Sequence, residues 1–217
     1  MGPPFGREGA RLWPPIPRLW EGQTVCIIAG GESASEEASL EKIRGKAKVI
    51  AVNNAFRLAP WADLLYACDA KWWDEYRDPQ DGLAAWTETR IPIKVSLTAT
   101  IGEVHRLPYD ADAPGLSLDP LRLHTIGGNG GGQAMNLAVL MGASRIVLIG
   151  FDMQGEHWHG RHPHPLTNPG ADNFEKWIDA IGKTAPDLAK VGVEVINASR
   201  RTALNCFARR DLAEIFP

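Results

Sequence analysis

The stretch Thr24-Val25-Cys26-Ile27-Ile28-Ala29-Gly30-Gly31 decides the fold class. It is a short, largely β-branched run with no polar alternation, and two glycines stop it. A run apolar on both faces marks a strand buried on both sides of a parallel sheet. The runs at 48–52, 64–68 and 145–150 have the same character, and 91–96 and 193–197 are expected strands as well. Helical patterns are expected between them. One continues to about Arg44, with Ser33 or Ser35 as N-cap. Another carries Ala134, Leu137, Ala138 and Met141 at i, i+3, i+4 and i+7. Two more are expected at 172–191 and 202–216. Buried-type strands alternating with helices predict an α/β fold: a doubly wound, mainly parallel Rossmann-like sheet with helices on both faces.

The remaining composition fits that prediction. The 217 residues are 44% hydrophobic and 23% charged, enough to bury one full core. We expect an irregular N-terminal arm over 1–20, which Trp13 and Trp20 could dock. A single Rossmann-like nucleotide-binding domain then spans 21–217, with an irregular Pro-, Asp- and Gly-rich insertion near 97–122. A net charge of −3 argues against a dedicated nucleic-acid binder. No uncharged apolar run approaches the roughly 18 residues of a membrane span. Cys26, Cys68 and Cys206 form no C-x-x-C pair, and residues 1–20 lack a signal-peptide core, so a cytoplasmic protein is expected.

In an open parallel sheet, ligands bind beyond the carboxyl ends of the strands. The residues there are Gly30, Gly31, Glu32 and Ser33, then Asn53 and Asn54, Asp69, the run from Gly127 to Gln133, Asp152, and 197–199. Turn chemistry accounts for some of these on its own. The Gly30-Gly31 turn with Ser33 can present backbone N–H groups to a phosphate. It is neither G-x-G-x-x-G nor a P-loop, so ordinary dinucleotide and P-loop functions lack their fingerprint. The glycines from 127 to 132, framed by Asn129 and Gln133, open a helix and allow close approach to substrate; the plainer alternative is a hinge.

His157, His159, His162 and His164 fall within one eight-residue window, 157–164, that follows Asp152. Their H-x-H-x-x-H-x-H spacing matches no common zinc pattern. A general base or phosphate contact from one of them is favoured over a metal site or a solvated loop. Asp152 is counted with His157, His159 and His162 among the catalytic candidates. Trp72 and Trp73 cannot share one helix face, so one of them is expected near a surface or pocket.

The strings 25–34, 51–56, 66–73, 127–152, 157–160 and 192–197 resemble a group of phage and prophage proteins sometimes labelled "norphogenetic protein", and they cover nearly the whole chain. Such a protein would be phage- or prophage-encoded in a bacterial host. More distantly, the order of motifs is similar to 6-hydroxymethylpterin diphosphokinase-like proteins and to bacterial sialyltransferases that use CMP-sialic acid. In those families a Gly-x-Pro-Ser-Leu-type loop follows the first strand; here Glu32 and Ala34 replace the proline and the leucine. The sialyltransferase resemblance implies nucleotide contacts from Asn53, Asn54, Gly127, Gly128 and their neighbours, with Asp69 at a further contact position. It also implies a histidine that deprotonates the acceptor, with His157, His159 and His162 all open as that base. Arg161 follows the glycine of that string and could instead neutralise a departing phosphate.

The function expected is a transferase using a nucleotide-activated donor, a CMP- or UDP-sugar, on a hydroxyl acceptor such as a glycan or a modified phage DNA base. Nucleic acid enters only as a substrate. The first alternative is a magnesium-dependent pyrophosphokinase acting on a pterin-like molecule, with Asp69 and Asp152 as Mg2+ ligands. The second is a non-catalytic nucleotide-binding protein on the same fold.

Overall fold

A computed structural model describes residues 11–217. The arm residues 1–10 lie outside the described residues. Nine strands form one sheet, every pairing parallel, in the order β1-β6-β5-β4-β3-β2-β9-β10-β11. The central strands are β2 (Thr24–Ile28), β3 (Lys48–Val52), β4 (Leu64–Tyr66), β5 (Ile93–Ser96), β9 (Arg145–Ile149) and β10 (Glu194–Asn197). Short edge strands complete the sheet: β1 (Arg11–Leu12), β6 (His105–Arg106) and β11 (Ala208–Arg209). A separate parallel pair joins β7 (Tyr109–Asp110) to β8 (Leu123–His124) within and just beyond the expected insertion. The helices are α1 (Ala70–Glu75), α2 (Gly130–Leu140), α3 (Ala171–Gly182), α4 (Ala185–Lys190) and α5 (Leu212–Ile215).

The pleat sorts each strand between two cores. Val25, Ile27, Ile50, Val52, Leu64, Tyr66, Ile146 and Leu148 point to the face covered by α2, α3 and α4. Cys26, Ile28, Val49, Ala51, Leu65, Val147 and Ile149 point to the face covered by α1 and α5. Burial on both faces explains why these strands read as unbroken apolar runs, and the doubly wound α/β fold is as predicted. At the N-terminal edge, Trp13 stacks on His105 at 4.8 Å and Trp20 is buried. No helix among the described residues is long and apolar enough to cross a membrane. Cys26, Cys68 and Cys206 are free thiols.

Three local expectations are corrected. The segment 32–44 forms two 3-10 turns, Glu32–Ala34 and Leu40–Ile43, with no side-chain cap from Ser33 or Ser35. Ser33 bonds Asp152 instead, a tertiary contact that replaces the cap. The helix expected over 172–191 breaks into α3 and α4, because Pro186 at the start of α4 has no N–H to continue the ladder. The span 202–216 is mostly irregular, with helix only at Leu212–Ile215; Asn197 Nδ2 donates to Thr202 Oγ1 and to the Leu204 carbonyl, and Ala208–Arg209 pairs with β10. As expected, one of the adjacent tryptophans borders a pocket: Trp72, though buried, lines a second cavity, while Trp73 lies wholly in the core. Trp72 meets Phe56 edge-on, and Trp73 meets Trp86 edge-on.

Candidate functional site

From β2 the chain winds outward through β3 to β6, then returns to lay β9 on the other side of β2. The β2/β9 junction is therefore the topological switch point, where the carboxyl ends leave a crevice. A cleft of about 560 Å3 opens there, within the usual range for small-molecule sites.

The floor is the Gly30-Gly31 turn and the end of β9. Gly31 N donates to the Gly150 carbonyl at 2.9 Å. A Cβ on Gly31 would lie 2.5 Å from the Asp152 carboxyl carbon, so only glycine fits. Asp152 accepts from Ser33 N at 2.8 Å and from the Ser33 hydroxyl. Burial raises the Asp152 carboxyl above the usual carboxylate range, while the Ser33 hydrogen bonds and Arg201 pull the other way. Asp152 thus ties the first turn to the end of β9.

One wall follows β3 and β4. Asn53 sits at φ 51 at the end of β3, a left-handed conformation that Asn tolerates better than most residues. Asn54 is 2% exposed. Its Oδ1 accepts from Trp72 Nε1 at 2.8 Å. Its Nδ2 has no hydrogen-bond acceptor of good geometry, although the Tyr76 hydroxyl lies nearby. Cys68 also lines the cleft, but burial pushes its thiol up to about 12, so it is no nucleophile at neutral pH.

The opposite wall is the start of α2 with one face of α3. Asn129 caps α2, its Oδ1 accepting from Gly132 N at 2.8 Å. That leaves the N–H groups of Gly130 and Gly131, both lining the cleft, without intrahelical partners. Gln133 is buried and structural: its Oε1 accepts from the Tyr66 hydroxyl and its Nε2 donates to the Thr125 carbonyl.

The histidine loop forms the remaining side. His157, His159 and His162 each place a ring nitrogen within 4.8 Å of the other two. His157 Nδ1 lies 3.2 Å from the Gly30 carbonyl. A carbonyl only accepts, so this contact puts the proton on Nδ1 and leaves the Nε2 lone pair free. His162 Nδ1 is 2.7 Å from the Tyr76 hydroxyl, and Asn168 clamps the His162 backbone through N–H and C=O. Burial first, then neighbouring imidazoles, lowers His159 to about 3 and His162 to about 4; burial also lowers His157. All three imidazoles are neutral at pH 7.

Of the residues singled out in the sequence, Gly30, Gly31, Asn53, Asn54, Asp69, Gly128, Asn129, Asp152, His157, His159 and His162 line this one cleft. Ser33 lies behind it on Asp152, and Gly127 packs on Ala180 of α3. His164 is exposed and stands apart from the other three histidines. Asp69 and Asp152 both face the cleft, where any magnesium ion would share Asp152 with Ser33. Phe174 and Trp177 on α3, with Thr167 and Asn168, complete the lining and were not anticipated. The available signal was two aromatics three apart, Phe174 and Trp177, on α3.

No family model and no curated protein matches the sequence. Among solved structures, the chain is similar to the MAf glycosyltransferase from Magnetospirillum magneticum AMB-1, with TM-score 0.59 and 14% identity over 88% of this chain and 34% of that one. It is also similar to the sialyltransferase CstII from Campylobacter jejuni in complex with a substrate analogue, cytidine-5'-monophosphate. There the TM-score is 0.52 and identity 10%, over 87% of this chain and 85% of that one. The chain thus spans about a third of the length of the MAf protein. At these identities the likeness is one of fold.

Proposed function

We propose that the cleft binds a nucleotide-activated sugar, such as a CMP- or UDP-sugar, and that the protein transfers the sugar to an acceptor hydroxyl. One observation carries this reading: a single cleft at the switch point sets the start of α2 and the Gly30-Gly31 turn against three neutral imidazoles. The free N–H groups of Gly130 and Gly131 suit phosphate oxygens. Asn53 and Asn54 offer amides to a base or ribose, and Phe174 with Trp177 offers an aromatic surface for the base. A second cavity of about 420 Å3 shares Asn53, Asp69, His162 and Thr167 with the first and is assigned to the acceptor. The fold neighbours lend support, since both are glycosyltransferases and one holds cytidine-5'-monophosphate.

In the reaction, the acceptor oxygen bonds to the anomeric carbon as the bond from that carbon to the donor phosphate breaks. The nucleotide leaves with the bonding electrons, and the acceptor proton passes to the imidazole cluster. Asn53→Gly tests the donor half, because glycine keeps the left-handed backbone while losing the amide. Nucleotide affinity should fall by about 1–3 kcal/mol with the fold intact. Trp177→Ala should cost a similar amount if the base stacks there. Unchanged affinity in both folded variants would remove the nucleotide from this cleft.

A further inference from the structure

We propose that His157, His159 and His162 together form a binding site for a divalent transition-metal ion of the zinc class, with its fourth position open to the cleft. Among the described residues, theirs is the one group of three or more His, Cys, Asp or Glu side chains with ligand atoms so close together. Zn–N bonds of about 2.0–2.1 Å at tetrahedral angles put ligand nitrogens about 3.3 Å apart and imidazole centroids about 5.1 Å apart. The observed centroid separations are 5.2 Å for His157–His159, 4.9 Å for His157–His162 and 4.7 Å for His159–His162. The ring centroids therefore stand at ligand spacing. His157 and His159 lie parallel, with 8° between their planes, so the rings must turn to bring the nitrogens in from their present separation of up to 4.8 Å.

The outer contacts are those a metal-bound imidazole uses. Such a ring donates its other N–H to a carbonyl or another polar group, which fixes tautomer and orientation. Gly30 C=O fills that place for His157, and the Tyr76 hydroxyl fills it for His162. The three rings are half-buried on the cleft wall. An all-imidazole set suits zinc, copper, nickel or iron and is a poor match for magnesium or calcium, which prefer oxygen. The open position faces the cleft that all three rings line, where water or an anionic phosphate or carboxylate oxygen fits. A bound ion would supply Lewis-acid activation of that oxygen; in the ion-free protein the acceptor proton passes to the imidazole cluster, as proposed above. The site stands on the imidazoles alone and does not require the transferase reading.

The test uses the full, tag-free chain, stripped with chelator and titrated with Zn2+ against a competing chelator in the absence of nucleotide. One ion per chain should bind, and His159→Ala and His162→Ala should each abolish that uptake. Tyr76→Phe should weaken it about 10-fold. His164→Ala, a neighbour outside the cluster, should change nothing. No stoichiometric uptake by the native chain, or uptake that survives both ligand substitutions, overturns the site. Should those variants fail to fold, Co2+ added to the native chain decides. Intense tetrahedral visible bands without thiolate charge transfer support the site, and a weak octahedral spectrum or a thiolate band refutes it. Failure of nucleotide binding is a separate outcome, since no arm of this titration contains nucleotide.

Discussion

Gly30 and His157 are in contact across 127 residues of sequence, the imidazole Nδ1 lying 3.2 Å from the glycine carbonyl. Trp158 N donates to the same carbonyl at 3.0 Å, and Gly31 and His157 form an antiparallel bridge. The first strand-to-helix turn therefore holds the histidine loop in place.

A Cβ on Gly30 would lie 2.8 Å from His157 Nδ1 and 3.3 Å from its Cε1. Gly30→Ala should push the ring aside and cost about 1–3 kcal/mol, as overpacking does. Urea unfolding measures the loss. The same variant should take up Zn2+ more weakly if the ring orientation matters to the site.

Ser33 supplies two hydrogen bonds to the buried Asp152 carboxyl, one from its backbone and one from its hydroxyl. Ser33→Ala keeps the backbone bond and should destabilise the protein by about 1.5–3 kcal/mol, the range for a bond to a charged group. Gly31→Ala should be worse, because its Cβ would also meet the Gly150 carbonyl at 2.6 Å. Denaturant midpoints compared at constant slope give both values.

The histidine cluster sets an acid limit. Folded pKa values near 3 for His159 and near 4 for His162 lie below the unfolded value of 6.5. Above that value both states are neutral, and the two groups contribute nothing to the pH dependence. As pH falls below it, the unfolded chain takes up protons that the folded chain does not, so stability declines toward the folded values. Burial raises Asp152, which has the opposite sign and acts at lower pH, from the ordinary carboxylate value upward. The unfolding temperature should thus drop as pH falls from about 6.5 to about 4, and His159→Gln should flatten that drop.

The strands were legible because a residue buried on both faces leaves an unbroken apolar run, and the run at 48–52 matches β3 residue for residue. The strand-end glycines, Asn53, Asn54, Asp69 and Asp152 were legible because the doubly wound fold puts every such end on one edge. The meeting of His157, His159 and His162 was not, since it depends on a loop docking onto Gly30, a contact that no local periodicity encodes. The misread helices failed for a related reason. Ser33 is drawn to Asp152, and 202–211 is drawn to the edge of β10, by partners distant in sequence. Asn129 both lines the cleft and caps α2, whereas Gln133 pins Tyr66 to that helix.

The measurement that bears most directly on the central claim is calorimetric titration of the native chain with CMP, UDP, CDP and ATP, each with chelator and again with magnesium. A cytidine or uridine nucleotide should bind one per chain in the presence of chelator, and Asn53→Gly should weaken that binding. ATP binding that requires magnesium, or no binding of any nucleotide up to millimolar concentration, would contradict the account.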